Sequence, residues 1–281
     1  MSFNHSTILS DKATRLFILL GGFFIANALV AEFIGVKIYS VEKSLGFLPS
    51  SFSLFGKENL SFNMSAGVLN WPFVFVMTDI INEYFGKKGV RFLSFMTAIL
   101  IAYAFLMFFM AIHLAPADFW VTSHINPNAS LIEQADIRSK VGDYNYAFKL
   151  IFGQGLWIIV GSLVAFLIGQ LVDVSVFHQI KKRTGEGNIW LRTTGSTLVS
   201  QLIDSYVVLF IAFYIGADWD LPTILALGLV AYIYKFIVAV LMTPVVYLAH
   251  HLIETYLGEE KANELKRNAA EAVSKRAFKI D

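Results

Sequence analysis

The sequence predicts an all-α polytopic membrane protein with six transmembrane helices. Hydrophobic residues make up 56% of the 281 residues and charged residues only 15%, whereas a soluble domain carries about 25% charged residues. The mean hydropathy is +0.62. A hydrocarbon core about 30 Å thick requires about 20 apolar residues per helix. Six stretches are of about that length or longer, namely residues 15–36, 67–85, 90–113, 151–177, 193–216 and 222–250.

The segments between and after these helices differ in character. We expect residues 1–254 to form the transmembrane domain and the charged, Ala-rich residues 255–281 to form a cytoplasmic tail with an amphipathic helix. Residues 37–66 read as an amphipathic connector over one membrane face. The longest polar connector is 114–143, and loops of that length are lids or binding loops, or else disordered. The first fourteen residues lack a short apolar core, so no cleavable signal peptide is predicted.

The distribution of Lys and Arg predicts the orientation, because cytoplasmic loops of membrane proteins carry an excess of these residues. With the N-terminus inside, the inner segments hold fifteen Lys and Arg and the outer segments hold six. The short loops agree, since loop 86–91 has three such residues and loop 217–221 has none. We therefore expect both termini in the cytoplasm and the chain in the inner membrane.

Several functional classes lack their usual sequence features. The net charge of +1 gives no basic field for nucleic acid. The absence of cysteine excludes disulfides, thiolate metal sites and cysteine nucleophiles. The six histidines show no metal-ligand spacing, and the GxxxxGK[ST], GxSxG and HExxH motifs are absent. We expect no cofactor and no metal, and an intramembrane enzyme would lack a nucleophile–base set.

Three polar residues interrupt the apolar run of the second predicted helix. Asp79 and Glu83 are four residues apart and share a helix face, and Asn82 lies between them. Acidic groups in a membrane helix are costly, which favours a functional site. Asp79 lies a full turn deeper than Glu83 and is the stronger candidate for ligand contact. Glu83 has an alternative, as an interfacial carboxylate paired with Lys87 or Lys88 of the turn 86–89.

The fifth predicted helix carries a polar stripe that starts at the inner surface. At 100° per residue the stripe comprises Thr193, Ser196, Thr197, Ser200 and Asp204, with Arg192 and Gln201 at its edges. Such a stripe suits a cavity filled with water or substrate. The alternative is that its Ser and Thr residues only allow close helix packing and bond across helices.

Asp204 and Lys235 lie at the same depth in neighbouring predicted helices. An unpaired charge at that depth costs about 2.5–3.5 kcal/mol, so we expect the two to pair toward the bundle interior. The pair either fixes helix register or exchanges partners with a ligand.

Three further positions have open interpretations. Asp173, at the end of the fourth predicted helix, could cap, pair with Lys181 or Lys182, or line the pore. We expect the Glu32 carboxylate either to snorkel to the membrane surface or to pair with Lys37. Trp71 and Phe73, above the Asp79 face, could stack on a flat ligand.

These residues match a known pattern. The end of the second helix carries Pro72, Thr78, Asp79, Asn82, Glu83, Phe85, Gly86 and Lys87. Helices four and five carry Gln170, Asp173, His178, Lys181, Trp190, Arg192, Ser196, Ser200, Gln201 and Asp204, and helix six carries Lys235, Thr243 and Pro244. Over nearly its whole length, the chain resembles the queuosine precursor transporters, a vitamin-uptake-transporter-like family formerly listed as a domain of unknown function. The outer connector 114–143 is longer than the family pattern.

The resemblance implies uptake of a 7-deazaguanine, such as preQ0, preQ1 or queuine, by a fold similar to the substrate-binding components of energy-coupling-factor transporters. Asp79 or Glu83 would bind the guanine edge, Arg192 would pair with a carboxylate or gate the inner end, and Ser200 and Gln201 would orient the ligand. The substrate-binding residues expected are Trp71, Asp79, Asn82, Glu83, Arg192, Ser200, Gln201, Asp204 and Lys235.

The sequence leaves alternatives for the ligand class and for the energy source. The chain could instead be the substrate-binding subunit for another vitamin-like ligand that needs a separate energising module. Because no nucleotide motif is present, the energy would come from an ion gradient, from trapping in the cell or from a partner ATPase. Protonation of Asp204 is one hypothesis for ion coupling, and assembly into a homo-oligomer is open.

Overall fold

The computed structural model describes residues 10–185 and 189–277, with side chains described as far as residue 270. The first helix, α1, spans Lys12–Ile34 and begins where the Asp11 carboxylate accepts a hydrogen bond from the Thr14 N–H at 2.9 Å. An N-cap of this kind satisfies one of the donors that a helix N-terminus leaves unpaired. The helix ends at Gly35, where the chain enters a small β structure.

The connector after α1 is folded. Its two antiparallel ribbons pair β1 (Ile38–Ser40) with β4 (Asn63–Ser65), and β2 (Phe52–Leu54) with β3 (Lys57–Leu60). A short helix, α2 (Val41–Ser44), follows β1, and a 3₁₀ turn (Ala66–Leu69) follows β4. The Glu42 carboxylate accepts hydrogen bonds from the Ser50 hydroxyl at 2.7 Å and the Phe62 N–H at 2.9 Å, so one side chain joins both halves of the connector.

The next element, α3 (Trp71–His113), is a helical hairpin. Gly86 breaks it with φ 70° and ψ −179°. Thr78 and Ser94 would lie about 24 Å apart on a straight helix, yet both hydroxyls reach Gln170 Oε1, at 3.1 and 3.5 Å. The chain therefore reverses at Gly86. Only Gly86 breaks the helix, whereas the sequence indicated a turn over residues 86–89.

The remaining helices follow in order. They are α4 (Asp118–Val121), α5 (Leu131–Lys140), α6 (Tyr144–Phe152), α7 (Leu156–Thr184), α8 (Ile189–Leu209), α9 (Leu221–Leu241), α10 (Thr243–Leu257) and α11 (Glu259–Ala277). A π-helical segment, Phe210–Ile215, extends α8. The predicted helix 222–250 is divided at Met242, because Pro244 at the start of α10 has no N–H for a continuing helix.

Five helical stretches in the described part of the chain are long and apolar enough to cross a membrane. They are Lys12–Ile34, Trp71–His113, Leu131–Thr184, Ile189–Ile215 and Leu221–Leu241. Many large apolar side chains on these helices are exposed, as the lipid-facing surface of a bundle requires; examples are Phe92 (60%), Ile99 (68%) and Phe109 (60%). The chain is a multi-pass membrane protein.

Two apolar clusters hold the bundle around the hairpin. The first joins α1, both arms of α3 and α7 through Phe24, Ala28, Val74, Ile101 and Phe166. The second lies at the other end of the first arm and joins it to α1, α10 and α11 through Leu16, Ile80, Tyr84, Ile253 and Ala262. The first arm of the hairpin, which carries Asp79, is thus enclosed by helices on several sides.

Candidate substrate-binding cavity

A cavity lies between the first arm of the α3 hairpin, α8 and α9. It contains about 550 Å³ of space, counted with its open mouth. Most of its wall is apolar. The lining residues are Val68, Trp71, Pro72, Phe75, Val76, Asp79, Thr193, Thr194, Thr197, Gln201, Tyr234, Lys235, Val238, Ala239, Met242 and Val246. A mostly apolar wall with a few polar groups is typical of a small-molecule site.

Two buried polar groups on this wall have atoms available to a ligand. Asp79 is 3% exposed, and its Oδ1 accepts no hydrogen bond from any described residue. Gln201 is also 3% exposed, and its Nε2 donates to none of the residues that the structure describes. Burying a polar group without a hydrogen-bond partner is costly. The arrangement therefore suits a ligand with N–H donors for Asp79 and an acceptor for Gln201.

Asn82 lies three residues after Asp79 on the same helix face but does not line the cavity. It is 1% exposed, and neither side-chain atom, Oδ1 nor Nδ2, has a hydrogen-bond partner within the described ranges. The polar surface that begins at Asp79 thus continues into the bundle.

Glu83 and Arg192 form a buried ion pair below the cavity. Arg192 Nη2 lies 2.9 Å from Glu83 Oε1, and Lys181 Nζ lies 3.0 Å from the same oxygen. Glu83 and Arg192 are each 1% exposed. The alternative of an interfacial Glu83 that pairs with Lys87 or Lys88 is therefore wrong, because this carboxylate lies on the face of the first arm that packs against α7 and α8.

The predicted Asp204–Lys235 pair is present. Lys235 Nζ lies 2.5 Å from Asp204 Oδ2, and the two side chains are 16% and 22% exposed. Lys235 lines the cavity, and Asp204 lies behind it. A ligand in the cavity could therefore reach the lysine without displacing the helix that carries the aspartate.

Ser200 is directed away from the cavity. Its hydroxyl lies 3.2 Å from Asp173 Oδ1 on α7 and 3.0 Å from the Thr197 carbonyl oxygen. Asp173 is 0% exposed. Lys181 bonds Glu83, and the hydrogen bond to Asp173 comes from a serine hydroxyl. The sequence therefore indicated a charged region here but did not show which of its groups pair.

The structure sorts the nine predicted site residues into two layers. Four of them line the cavity: Trp71, Asp79, Gln201 and Lys235. The other five, Asn82, Glu83, Arg192, Ser200 and Asp204, lie behind or below it, and all but Asp204 are at most 3% exposed. The sequence reasoning missed Tyr234 and Phe75 as lining residues, although Tyr234 is next to Lys235.

Two expectations need correction. Phe73 is 42% exposed, whereas Phe75 lines the cavity with its ring centroid 6.2 Å from that of Trp71, so Phe75 is the aromatic partner. Glu32 neither snorkels nor pairs with Lys37. It is 9% exposed, and its Oε2 accepts a hydrogen bond from the Ser162 hydroxyl at 2.5 Å, because α7 packs beside that end of α1.

Comparisons with known proteins point to one family. The family model described as "Putative vitamin uptake transporter" matches residues 65–249. A "Probable queuosine precursor transporter" of Bacillus subtilis (strain 168) is 28% identical over 206 residues, which cover 70% of this chain and 76% of that protein. The "Queuosine precursor transporter" of Escherichia coli (strain K12) is 24% identical over 214 residues, 74% of this chain and 82% of that protein. No solved structure matches.

Proposed function

Because the chain belongs to the vitamin uptake transporter family, we propose that it imports a 7-deazaguanine precursor of queuosine. The names of its relatives in Bacillus subtilis and Escherichia coli support this substrate class. The observation that carries the proposal is the cavity wall, where Asp79 Oδ1 and Gln201 Nε2 lie buried without described partners beside Trp71. These groups provide an acceptor, a donor and an aromatic face within one site.

The chemistry of the cavity fits the edge of a guanine-type base. Such an edge offers two adjacent N–H donors and one carbonyl oxygen. A carboxylate accepts hydrogen bonds from base N–H groups as Asp and Glu do in nucleic-acid recognition, and Asp79 takes that role. Gln201 Nε2 donates to the carbonyl oxygen. The Trp71 and Phe75 rings stack against the planar ring system, an interaction worth about 1–3 kcal/mol per base.

The proposed topology has six membrane passes, one more than the number of long apolar helical stretches. The hairpin at Gly86 supports it, since each arm of Trp71–His113 would make one pass. The Lys and Arg distribution supports cytoplasmic termini in the inner membrane. The likeness to the substrate-binding components of energy-coupling-factor transporters remains a prediction.

A second candidate is the substrate-binding subunit for another vitamin-like ligand, and the family description favours it. Such a subunit would need a separate energising module. Reconstitution of the chain alone in liposomes distinguishes the two functions. Net uptake of preQ1 without any partner supports the transporter, and binding of the ligand without uptake supports the subunit.

The direct test is rescue of queuosine in tRNA. The chain is expressed in a cell that can neither make nor import the precursor, and preQ0, preQ1 or queuine is supplied separately. We expect the modification in tRNA to appear with at least one of them. The Asp79→Asn variant should lose rescue, and Asp220→Asn, on the exposed outer loop, should retain it at equal expression. Absence of the modification with all three precursors would contradict the proposal.

A further inference from the structure

Buried charges below the cavity do not balance. The carboxylates there are Asp79, Glu83 and Asp173, which are 3%, 1% and 0% exposed. The buried cations are Arg192 and Lys181, which are 1% and 9% exposed, and both contact Glu83 Oε1. Within the part of the chain that the structure describes, three buried carboxylates against two buried cations leave one negative charge in excess. An uncompensated charge in this environment is expensive.

The excess charge is located at Asp79 and Asp173. Asp173 Oδ1 accepts a hydrogen bond from Ser200 at 3.2 Å, but its Oδ2 has no partner among the described residues. Asp79 Oδ1 likewise has no hydrogen-bond partner among the described residues. The two carboxylates lie on helices that are in contact, because the Thr78 hydroxyl, next to Asp79, donates to Gln170 Oε1 at 3.1 Å, three residues before Asp173. The amide of Asn82, which lies on the same helix face as Asp79 and has no hydrogen-bond partner in the described ranges, adds a further buried polar group to this site.

Among the described residues, the cations buried near Asp79 are held by other carboxylates. Arg192 and Lys181 both contact Glu83. Lys235 lines the same cavity but bonds Asp204 at 2.5 Å. Other described titratable groups on these helices have partners of their own: His250 Nδ1 lies 3.0 Å from the Tyr84 hydroxyl, and Lys266 bonds Glu254 on α10. His178 on α7 is buried as well.

We propose that Asp79 and Asp173 together bind one proton, and that this proton is carried inward with the ligand. The second half of this inference rests on the proposed function. When the base edge occupies Asp79, that carboxylate must be ionised to accept two N–H groups, so the proton resides on Asp173. Release of the ligand and the proton to the cytoplasm leaves both carboxylates ionised. The pair then takes up one proton from the outer side, which restores the start of the cycle. The coupling site is thus the Asp79–Asp173 pair, whereas Asp204 already has Lys235 as its counterion.

The proton can be detected without any ligand. Infrared spectra of the purified full-length chain, recorded across pH, show protonated carboxyl groups by their C=O stretching band. A Glu32→Gln background removes the other buried carboxylate that is held by a hydroxyl. We expect one carboxyl band that disappears on alkaline titration. It should be absent from both Asp79→Asn and Asp173→Asn and present in Asp204→Asn. A band that persists in either Asp79→Asn or Asp173→Asn overturns the proposal.

If Asp79→Asn or Asp173→Asn does not fold, a variant that keeps both carboxylates still tests the proposal. Ser200→Ala removes the hydroxyl that stabilises ionised Asp173, so the band should titrate at higher pH. An unchanged titration midpoint would show that Asp173 does not hold the proton. This measurement does not depend on the identity of the transported molecule, so its failure is distinct from a failure of the proposed function.

Transport is then measured in liposomes with labelled preQ1 and the membrane potential held at zero. With one proton per ligand, an inwardly directed gradient of one pH unit supports up to about tenfold accumulation. We expect Asp173→Asn to abolish accumulation and to retain exchange of labelled for unlabelled preQ1 at equal pH. Accumulation equal to that of the wild type in Asp173→Asn would overturn the coupling role. Absence of both uptake and exchange in the wild-type chain would instead contradict the proposed function.

Discussion

Arg192 and Glu83 are 109 residues apart in the chain, yet Arg192 Nη2 donates to Glu83 Oε1 at 2.9 Å in the interior of the bundle. Both side chains are 1% exposed. The pair joins α8 to the end of the first hairpin arm, and Lys181 adds α7 to the same oxygen. Three helices are thereby fixed around the end of the candidate cavity at which Glu83 lies.

Removal of Arg192 should strongly destabilise the bundle. Breaking a buried ion pair from one side costs about 3–5 kcal/mol, because the remaining charge stays buried. We expect Arg192→Met to lower the thermal midpoint in detergent markedly, and Glu83→Gln/Arg192→Met to recover part of the loss. The control is Lys57→Met, which breaks the exposed pair with Asp220 and should cost at most about 1 kcal/mol. Equal effects of the two single variants would contradict this account.

Variants of the Asp204–Lys235 pair distinguish a structural role of these residues from a role in transport. Lys235→Met leaves Asp204 without its counterion, so we expect lower stability and loss of uptake. Asp204→Asn/Lys235→Met removes both charges and should restore stability. If Lys235 also contacts the ligand, the double variant should remain about tenfold or more below the wild type in uptake, as expected for a lost charged hydrogen bond. Full uptake by Lys235→Met would exclude the transport role.

The sequence was sufficient to predict the membrane class and the Asp204–Lys235 pair. Hydropathy shows which segments can cross a bilayer, and two opposite charges at equal depth in neighbouring helices have few other partners. The partners of Glu83 could not be predicted in the same way. They depend on how the hairpin, α7 and α8 pack in three dimensions, and a carboxylate near a turn fits a surface position equally well.

The aromatic side of the cavity shows a second limit of sequence reasoning. Phe73 and Phe75 are both near Trp71 in the sequence, and only the helix phase decides which of them faces inward. The structure selects Phe75. In a membrane helix that is apolar on nearly every side, the phase carries little hydrophobic signal, because lipid-facing and buried residues are similar in type.

Gly86 should be required for the hairpin. Its φ of 70° and ψ of −179° lie in a region that is essentially restricted to glycine, where another residue costs about 1–3 kcal/mol. A Cβ at this position would also lie 3.4 Å from the Cα of Ala269 on α11. We expect Gly86→Ala to lower the thermal midpoint. Gly22→Ala, where a Cβ meets nothing within 4 Å, is the control. A midpoint equal to that of the control would contradict the strain argument.

The connector 37–66 should loosen in acid. The hydrogen bond from the Phe62 N–H, with those from Ser50 and Ser40, lowers the pKa of Glu42 from its ordinary value of 4.5 to about 2. A lowered pKa stabilises the fold above the unfolded value, and this contribution is lost as pH falls from about 4.5 to about 2. The protection of the connector amides, measured as the exchange rate relative to that of an unprotected peptide at the same pH, should therefore fall over that range. Glu42→Gln should show fast exchange already at neutral pH, and Glu58→Gln serves as the exposed control. Unchanged exchange in Glu42→Gln would contradict the prediction.

Asp79 should dominate ligand affinity. A hydrogen bond to a charged group is worth about 1.5–3 kcal/mol, and Asp79 Oδ1 is buried on the cavity wall without a partner in the described chain. Asp79→Asn replaces one acceptor oxygen by a donor that opposes the N–H groups of a guanine edge, so we expect binding of preQ1 to weaken by about 10- to 150-fold. Val76→Ala, on the same wall, removes only apolar contact and should have a smaller effect. Calorimetric titration of both purified variants measures the difference. Equal affinities for Asp79→Asn and the wild type would mean that the base edge binds elsewhere in the cavity.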